Sequence, residues 1–106
     1  MSEPWEDIAK RLAAHPRFEW REGMMATDHV GNVPDLTDAA TTGILLLGMW
    51  LDARPKHEHA DPVSLVRTTG GPWIVRSGFT FATHLASHPV PGAAIALALL
   101  EAWGAP

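Results

Sequence analysis

The chain has 106 residues, 46% of them hydrophobic, with 12 acidic residues against 8 basic ones and no cysteine. That length makes a single domain over 1–106, amply supplied with core material. A net charge of −4 with scattered basic residues argues against direct nucleic acid binding, which draws on clustered Lys and Arg, and the lack of cysteine excludes disulfides, thiolate nucleophiles and cysteine-based zinc sites.

The start, MSEPWEDIAK, is acidic and amphipathic, unlike a secretory signal, and points to the cytoplasm. Residues 2–14 predict a first helix. Trp5, Ile8, Ala9 and Leu12 form one apolar stripe, and Glu6, Asp7, Lys10 and Arg11 lie off it. Pro4 belongs in its first turn and Pro16 bars its continuation. Next, RFEWR at 17–21 alternates Phe18 and Trp20 with charged neighbours, the period-2 signature of a half-buried strand. After a turn at Glu22-Gly23, residues 24–33 supply a second short strand.

Residues 37–51, TDAATTGILLLGMWL, predict the central helix around which the rest of the chain is arranged. Asp35 or Thr37 is the expected N-cap, and Asp38 adds a negative charge near the positive end of the helix dipole. No charge occurs between Asp38 and Asp52, and apolar residues cover most of the circumference, so more than one side of this helix must be covered. The run is too short to cross a bilayer, which takes about 20 apolar residues. Arg54-Pro55 ends it, because proline disfavours helical geometry in the residue before it.

RPKHEHADP at 54–62 is polar, bounded by prolines, and reads as an exposed loop. Val63 to Arg76 predicts a hairpin turning at Gly70-Gly71, with Thr68 facing Trp73, Arg67 facing Ile74 and Val66 facing Val75. Both strands carry adjacent apolar residues, so helices or a second subunit are expected on both faces of the sheet. In 77–89, Phe79-Thr80-Phe81 is consistent with an extension of the sheet and ATHLAS with a short turn of helix. The last helix is expected from Val90 to Trp103, with Pro91 in its first turn and Gly104 and Pro106 stopping it. Glu101 is its only charge.

Little in the chain carries chemistry. His57, Glu58 and His59 are the weak metal candidates, since imidazole and carboxylate together suit zinc and other first-row divalent ions. A further ligand would have to come from His29, His84 or His88, and the spacing fits no standard zinc motif. His84 and His88, four apart, read as surface histidines on one helix face. No nucleophile elbow or phosphate-binding glycine loop occurs, so no catalytic residue and no cofactor is assigned. Arg67 and Arg76, on adjacent strands beside Trp73, form a candidate ligand clasp for a phosphate or a nucleotide base. The uncharged helix surfaces, at Ile44, Leu47, Trp50 and Leu51 and at Leu97 and Leu100, form the candidate protein interface.

Four segments, LAAHPRFEWREGM at 12–24, VPDLTDAATTGILLL at 33–47, GPWIV at 71–75 and ALALLEAW at 96–103, occur in an order that resembles a family of small proteins encoded by phages and prophages. The chain departs from that pattern at 54–62 and 79–88. The resemblance implies an α–β–α sandwich and a phage accessory protein acting in the bacterial host cytoplasm. Proteins of that kind often antagonise host defence, as anti-CRISPR proteins or as sponges for signalling nucleotides.

The expected fold is therefore α+β, a small, mainly antiparallel sheet with helices on both faces, in the order α-β-β-α-β-β-α. The expected function is non-enzymatic: a homodimer that blocks a host defence protein by binding it. A nucleotide sponge built on Arg67, Trp73 and Arg76 is the alternative, and a metal-dependent enzyme built on His57, Glu58 and His59 the third reading.

Overall fold

The computed structural model describes residues 3–27, 32–54, 62–67, 69–77 and 83–104. Helix and antiparallel sheet are both present, so the α+β class holds, but the elements and their layering differ from the expected order.

The first helix runs Trp5–Ala14 and starts on Pro4, whose carbonyl accepts from the N–H groups of Asp7 and Ile8. Ile8, Ala9 and Leu12 are fully buried while Glu6, Asp7, Lys10 and Arg11 stay outside, as the stripe required. His15 is already extended, ahead of Pro16.

No strand forms over 17–21 or over the described part of 24–33; the only pairing there is a single bridge between Ala26 and Pro34. Phe18 and Trp20 do meet, edge to face at 5.5 Å, as their alternation suggests. An alternating segment still needs a neighbour to satisfy its backbone. This one is broken on both sides instead, by Pro16 and by the turn in which Met24 N–H reaches Arg21 O and Gly23 takes φ 95°. The chain is fastened by side chains. Met25 N–H donates to Thr41 Oγ1 at 2.8 Å, and Thr41 Oγ1 donates to Asp38 Oδ2 at 2.9 Å.

Asp38, not Asp35 or Thr37, caps the central helix, accepting from Thr41 N–H. Asp35 closes a local turn instead, accepting from Thr37 N–H at 2.9 Å. The central helix is α-helical over Ala39–Ile44, widens to π geometry over Leu45–Trp50, and returns to α over Leu51–Ala53. The bond from Leu51 N–H to Leu46 O, five residues back, marks the widened turns. Leu45, Met49 and Trp50 face the core, a spacing that one regular α-helical face would not bring together.

The sheet has three antiparallel strands in the order β1-β2-β3: β1 Val63–Arg67, β2 Trp73–Ser77 and β3 Thr83–His88. The hairpin is where the sequence places it, but its register is moved by one. Arg67 pairs with Trp73, Val66 with Ile74 and Leu65 with Val75, leaving 68–72 as the connection. Pro72 has no N–H to give a ladder, so pairing starts at Trp73, and only Gly70 of the two glycines is left-handed. Residues 83–88 form a strand and not a turn of helix, because the free side of β2 supplies a full backbone partner. Leu85 is left over between the pairs Val75–Ala86 and Arg76–His84, a bulge in β3.

The last helix, Pro91–Trp103, and not the central one, is the element around which the others pack. It contacts the first helix, every segment of the central helix, β2 and β3. Gly92, Ala93, Ala94, Ile95, Ala96, Ala98 and Leu99 are all buried. Its start is pressed onto the Leu36 carbonyl so closely that a Cβ on Gly92 would collide with that backbone oxygen and with Thr42 Oγ1. The core gathers Ile8, Leu12, Leu36, Leu45, Trp50, Val75, Ile95 and Leu99. Each such side chain contributes about 1.5–3 kcal/mol by leaving water.

The helix covers one face of the sheet, through fully buried Val75. On the other face, among the described residues, Ser64, Val66 and Arg76 are exposed and Ile74 is half-buried. Helices on both faces were expected; the described residues place one on the Val75 side alone.

Candidate functional site: two apolar faces and two histidine staples

The first apolar face is a groove of about 650 Å³ between the first and last helices. Arg11 and Ala14 come from one wall, Leu97, Leu100 and Glu101 from the other, and His15 and Gly104 close one end. Leu97 and Leu100, both expected at an interface, are half-buried and stand in this groove. They remain on its floor because the last helix spends its other faces on the core. Arg11 pairs with Glu3 at 3.2 Å on the rim. Both groups are well exposed, so the pair adds less than about 1 kcal/mol.

The second face lies on the central helix. Ala40, Gly43, Ile44, Leu47 and Gly48 form a shallow depression with Arg21 and Glu22. Leu47 is 67% exposed, the most exposed of the large apolar side chains in the described residues. Trp20 and Met25, from the loop fastened to this helix, are 43% and 55% exposed. Arg21 lies over Gly48, with its Nη1 3.4 Å from where a Cβ would stand. On the far side of Arg21 a more polar cleft of about 380 Å³ is lined by Arg17, Glu19, Met49, Asp52 and Trp103 among others.

The proposed interface set divides. Leu47 is outside, Ile44 and Leu51 are half-buried, and Trp50 is 1% exposed. Trp50 belongs to the core, with the Arg54 guanidinium over its ring at 5.5 Å. The π turn accounts for this: it brings Trp50 to the same inward side as Leu45, where an even α-helix would have left one of them nearer the surface.

The ligand clasp comes apart as well. Cross-strand partners share a face and neighbours along a strand alternate, so a slip of one residue exchanges the faces. With Arg67 opposite Trp73 and Arg76 opposite Ser64, the two arginines project from opposite faces of the hairpin. Arg67 and Trp73 remain together, but two guanidiniums do not converge.

The metal candidates His57, Glu58 and His59 lie outside the described residues, as do His29 and the side chain of His84. Among the described residues no three His, Cys, Asp or Glu side chains are grouped as a metal site would need. No helix there is long and apolar enough to cross a membrane.

Two histidines have structural roles that the sequence reading did not assign: His15 was given none, and His88 was expected at the surface of a helix. His15 is buried; its Nδ1 accepts from Arg17 N–H at 3.1 Å and its Nε2–H donates to Gly104 O at 3.0 Å. Its ring also stacks on Trp103 at 4.9 Å. His88 is buried at the end of β3, not displayed on a helix; its Nδ1 accepts from Val90 N–H at 2.9 Å and its Nε2–H donates to Glu3 O at 2.6 Å. The backbone partners fix which nitrogen accepts and which donates. Each histidine precedes a proline and binds the N–H that follows it. The recurrence of His-Pro at 15–16 and 88–89 was the signal available in the sequence.

Compared with protein-family models, with curated proteins and with solved structures, the chain matches none.

Proposed function

We propose that this protein works by binding another protein and not by catalysis, and that the groove between its first and last helices receives the partner. The observation that carries the reading is that groove: half-buried Leu97 and Leu100 between the two helices, with exposed Arg11 and Glu101 beside them, the apolar-and-charged lining that an amphipathic segment complements. Binding sites of this kind place energy in a buried apolar centre and specificity in a polar edge. The resemblance to phage and prophage proteins supplies the partner class, a protein of a bacterial defence system, and the setting, the host cytoplasm. Acidic residues outnumber basic ones, 12 to 8, so a positively charged defence protein would be drawn to this one by charge steering.

The test is plating of phage on bacteria that carry a panel of defence systems. Expression of the chain should restore plating against at least one system and leave plating on defence-free cells unchanged. The variant Leu97→Ser with Leu100→Ser should lose the effect while its circular dichroism at the assay temperature stays that of a folded chain, with melting lowered but still above that temperature. A parent chain that restores plating against no system in the panel removes the defence reading. A double variant that stays fully active removes the groove.

A further inference from the structure

We infer that the Leu47 face of the central helix takes a second copy of this chain, forming a two-fold dimer through antiparallel contact of the central helices. The contact is separate from the groove and does not depend on the identity of any other partner.

Three observations converge. The first is the apolar centre: Leu47, the most exposed large apolar side chain of the described residues, stands with Ala40 and Ile44 in the depression, and the loop fastened across this helix carries exposed Trp20 and Met25. The second is Gly43. A Cβ there would meet nothing within 4 Å, so the subunit's own packing does not require glycine. Glycine inside a helix is costly relative to alanine. Its use here has a physical reason if another backbone approaches at this point, and Ala40 and Gly48 keep the same face low.

The third observation identifies the occupant. Arg21 and Glu22 line the depression, and Arg17, Glu19 and Asp52 flank it across Arg21. None of these side chains has an ion-pair partner among the described residues, where the one salt bridge joins Arg11 to Glu3. A rim that carries both signs is its own complement under a two-fold axis: residue i meets residue j of the other copy, and j meets i. With the axis near Leu47, Arg21 of each copy is set against Glu22 of the other.

Sedimentation velocity from low micromolar to submillimolar concentration tests this, with circular dichroism recorded on every variant. The parent chain should pass from monomer to dimer across that range, and Leu47→Asp should stay monomeric with an unchanged spectrum. Arg21→Glu alone and Glu22→Arg alone should each weaken the dimer at least tenfold. Mixed together, the two should form a heterodimer, because the mixture restores opposite charges at both contacts. Gly43→Ala should raise the melting temperature of the monomer at low concentration and weaken the dimer. A parent chain that is monomeric throughout overturns the proposal, and so does a Leu47→Asp variant that dimerises like the parent.

Discussion

The central and last helices are alike in composition and opposite in use. Each carries almost no charge: none between Asp38 and Asp52 in one, Glu101 alone in the other. Yet the last helix is buried from Gly92 through Ala96 and again at Ala98 and Leu99, while the central helix leaves Leu47 mostly in solvent. Small residues make the difference. Gly92 and the alanines let the sheet, the first helix, the central helix and the Leu36 backbone approach the last helix closely, leaving only the groove side at Leu97, Leu100 and Glu101 partly open. The central helix is larger in girth: the last helix covers one side and the 20–25 loop part of another, and Leu47 is left outside. Its π turns bring Trp50 into the core beside Leu45 and Met49, and Leu47, two residues from each of that last pair, points away from them. An uncharged helix therefore does not by itself reveal an interface; the size of its residues decides how much of it its own fold can cover.

The largest effects that can break this contrast lie in the last helix. Leu99→Ala should cost about 3–4 kcal/mol, because a fully buried leucine loses both transfer energy and packing. Gly92→Ala should cost about 2–3 kcal/mol, since the added methyl meets the Leu36 carbonyl and not a side chain free to move. Urea denaturation measures both. A loss below about 0.5 kcal/mol for either would mean that the last helix is not the buried strut of the fold.

Much of the fold was legible in the sequence for the same reason that these effects are large. Apolar spacing that is buried, as at Ile8, Ala9 and Leu12, leaves a periodic signature. The hairpin was legible from Gly70-Gly71 and its flanks, but not to the residue. A glycine pair admits several loop lengths, and Pro72's missing N–H decides which one forms. The strand reading of 17–21 failed because alternation reports only that Phe18 and Trp20 share a side. It says nothing of whether a neighbouring strand exists. Thr83–His88 failed in the opposite direction: its local sequence is weak, and the open side of β2 makes it a strand. Of the candidate site, Leu47, Leu97 and Leu100 were legible as surplus apolar surface. Trp50 was not, because nothing in the sequence announces a π turn. The arginine clasp was lost to a register shift of one residue, the smallest error possible and one that moves a whole strand's side chains across the sheet.

Intermediate effects should come from the two histidine staples. Removing either ring leaves two backbone groups without their partner: Arg17 N–H and Gly104 O at one end, Val90 N–H and Glu3 O at the other. His15→Ala and His88→Ala should each cost about 1–3 kcal/mol, in line with losing hydrogen bonds to part-buried groups. The two differ in where the loss shows. Hydrogen exchange should accelerate at the C-terminal end of the last helix for His15→Ala, and at the first turn of the first helix for His88→Ala. Unchanged exchange at those ends would mean that the histidines pack but do not fasten.

The smallest effect belongs to the central helix and is the sharpest test of the contrast. Leu47 is 67% exposed, so within one subunit Leu47→Ala removes little buried surface, and alanine is as good a helix former or better. At low micromolar concentration the change in stability should stay within about 0.5 kcal/mol. At high concentration a dimer that covers Leu47 adds its binding energy to the parent chain and not to the variant, and the two melting curves should separate. A protein whose Leu47 stays in water would show no such separation. One whose Leu47 is covered by its own chain would show the loss at every concentration. The concentration dependence, more than the size of the effect, therefore distinguishes a face left open by the fold from a face closed by a second molecule.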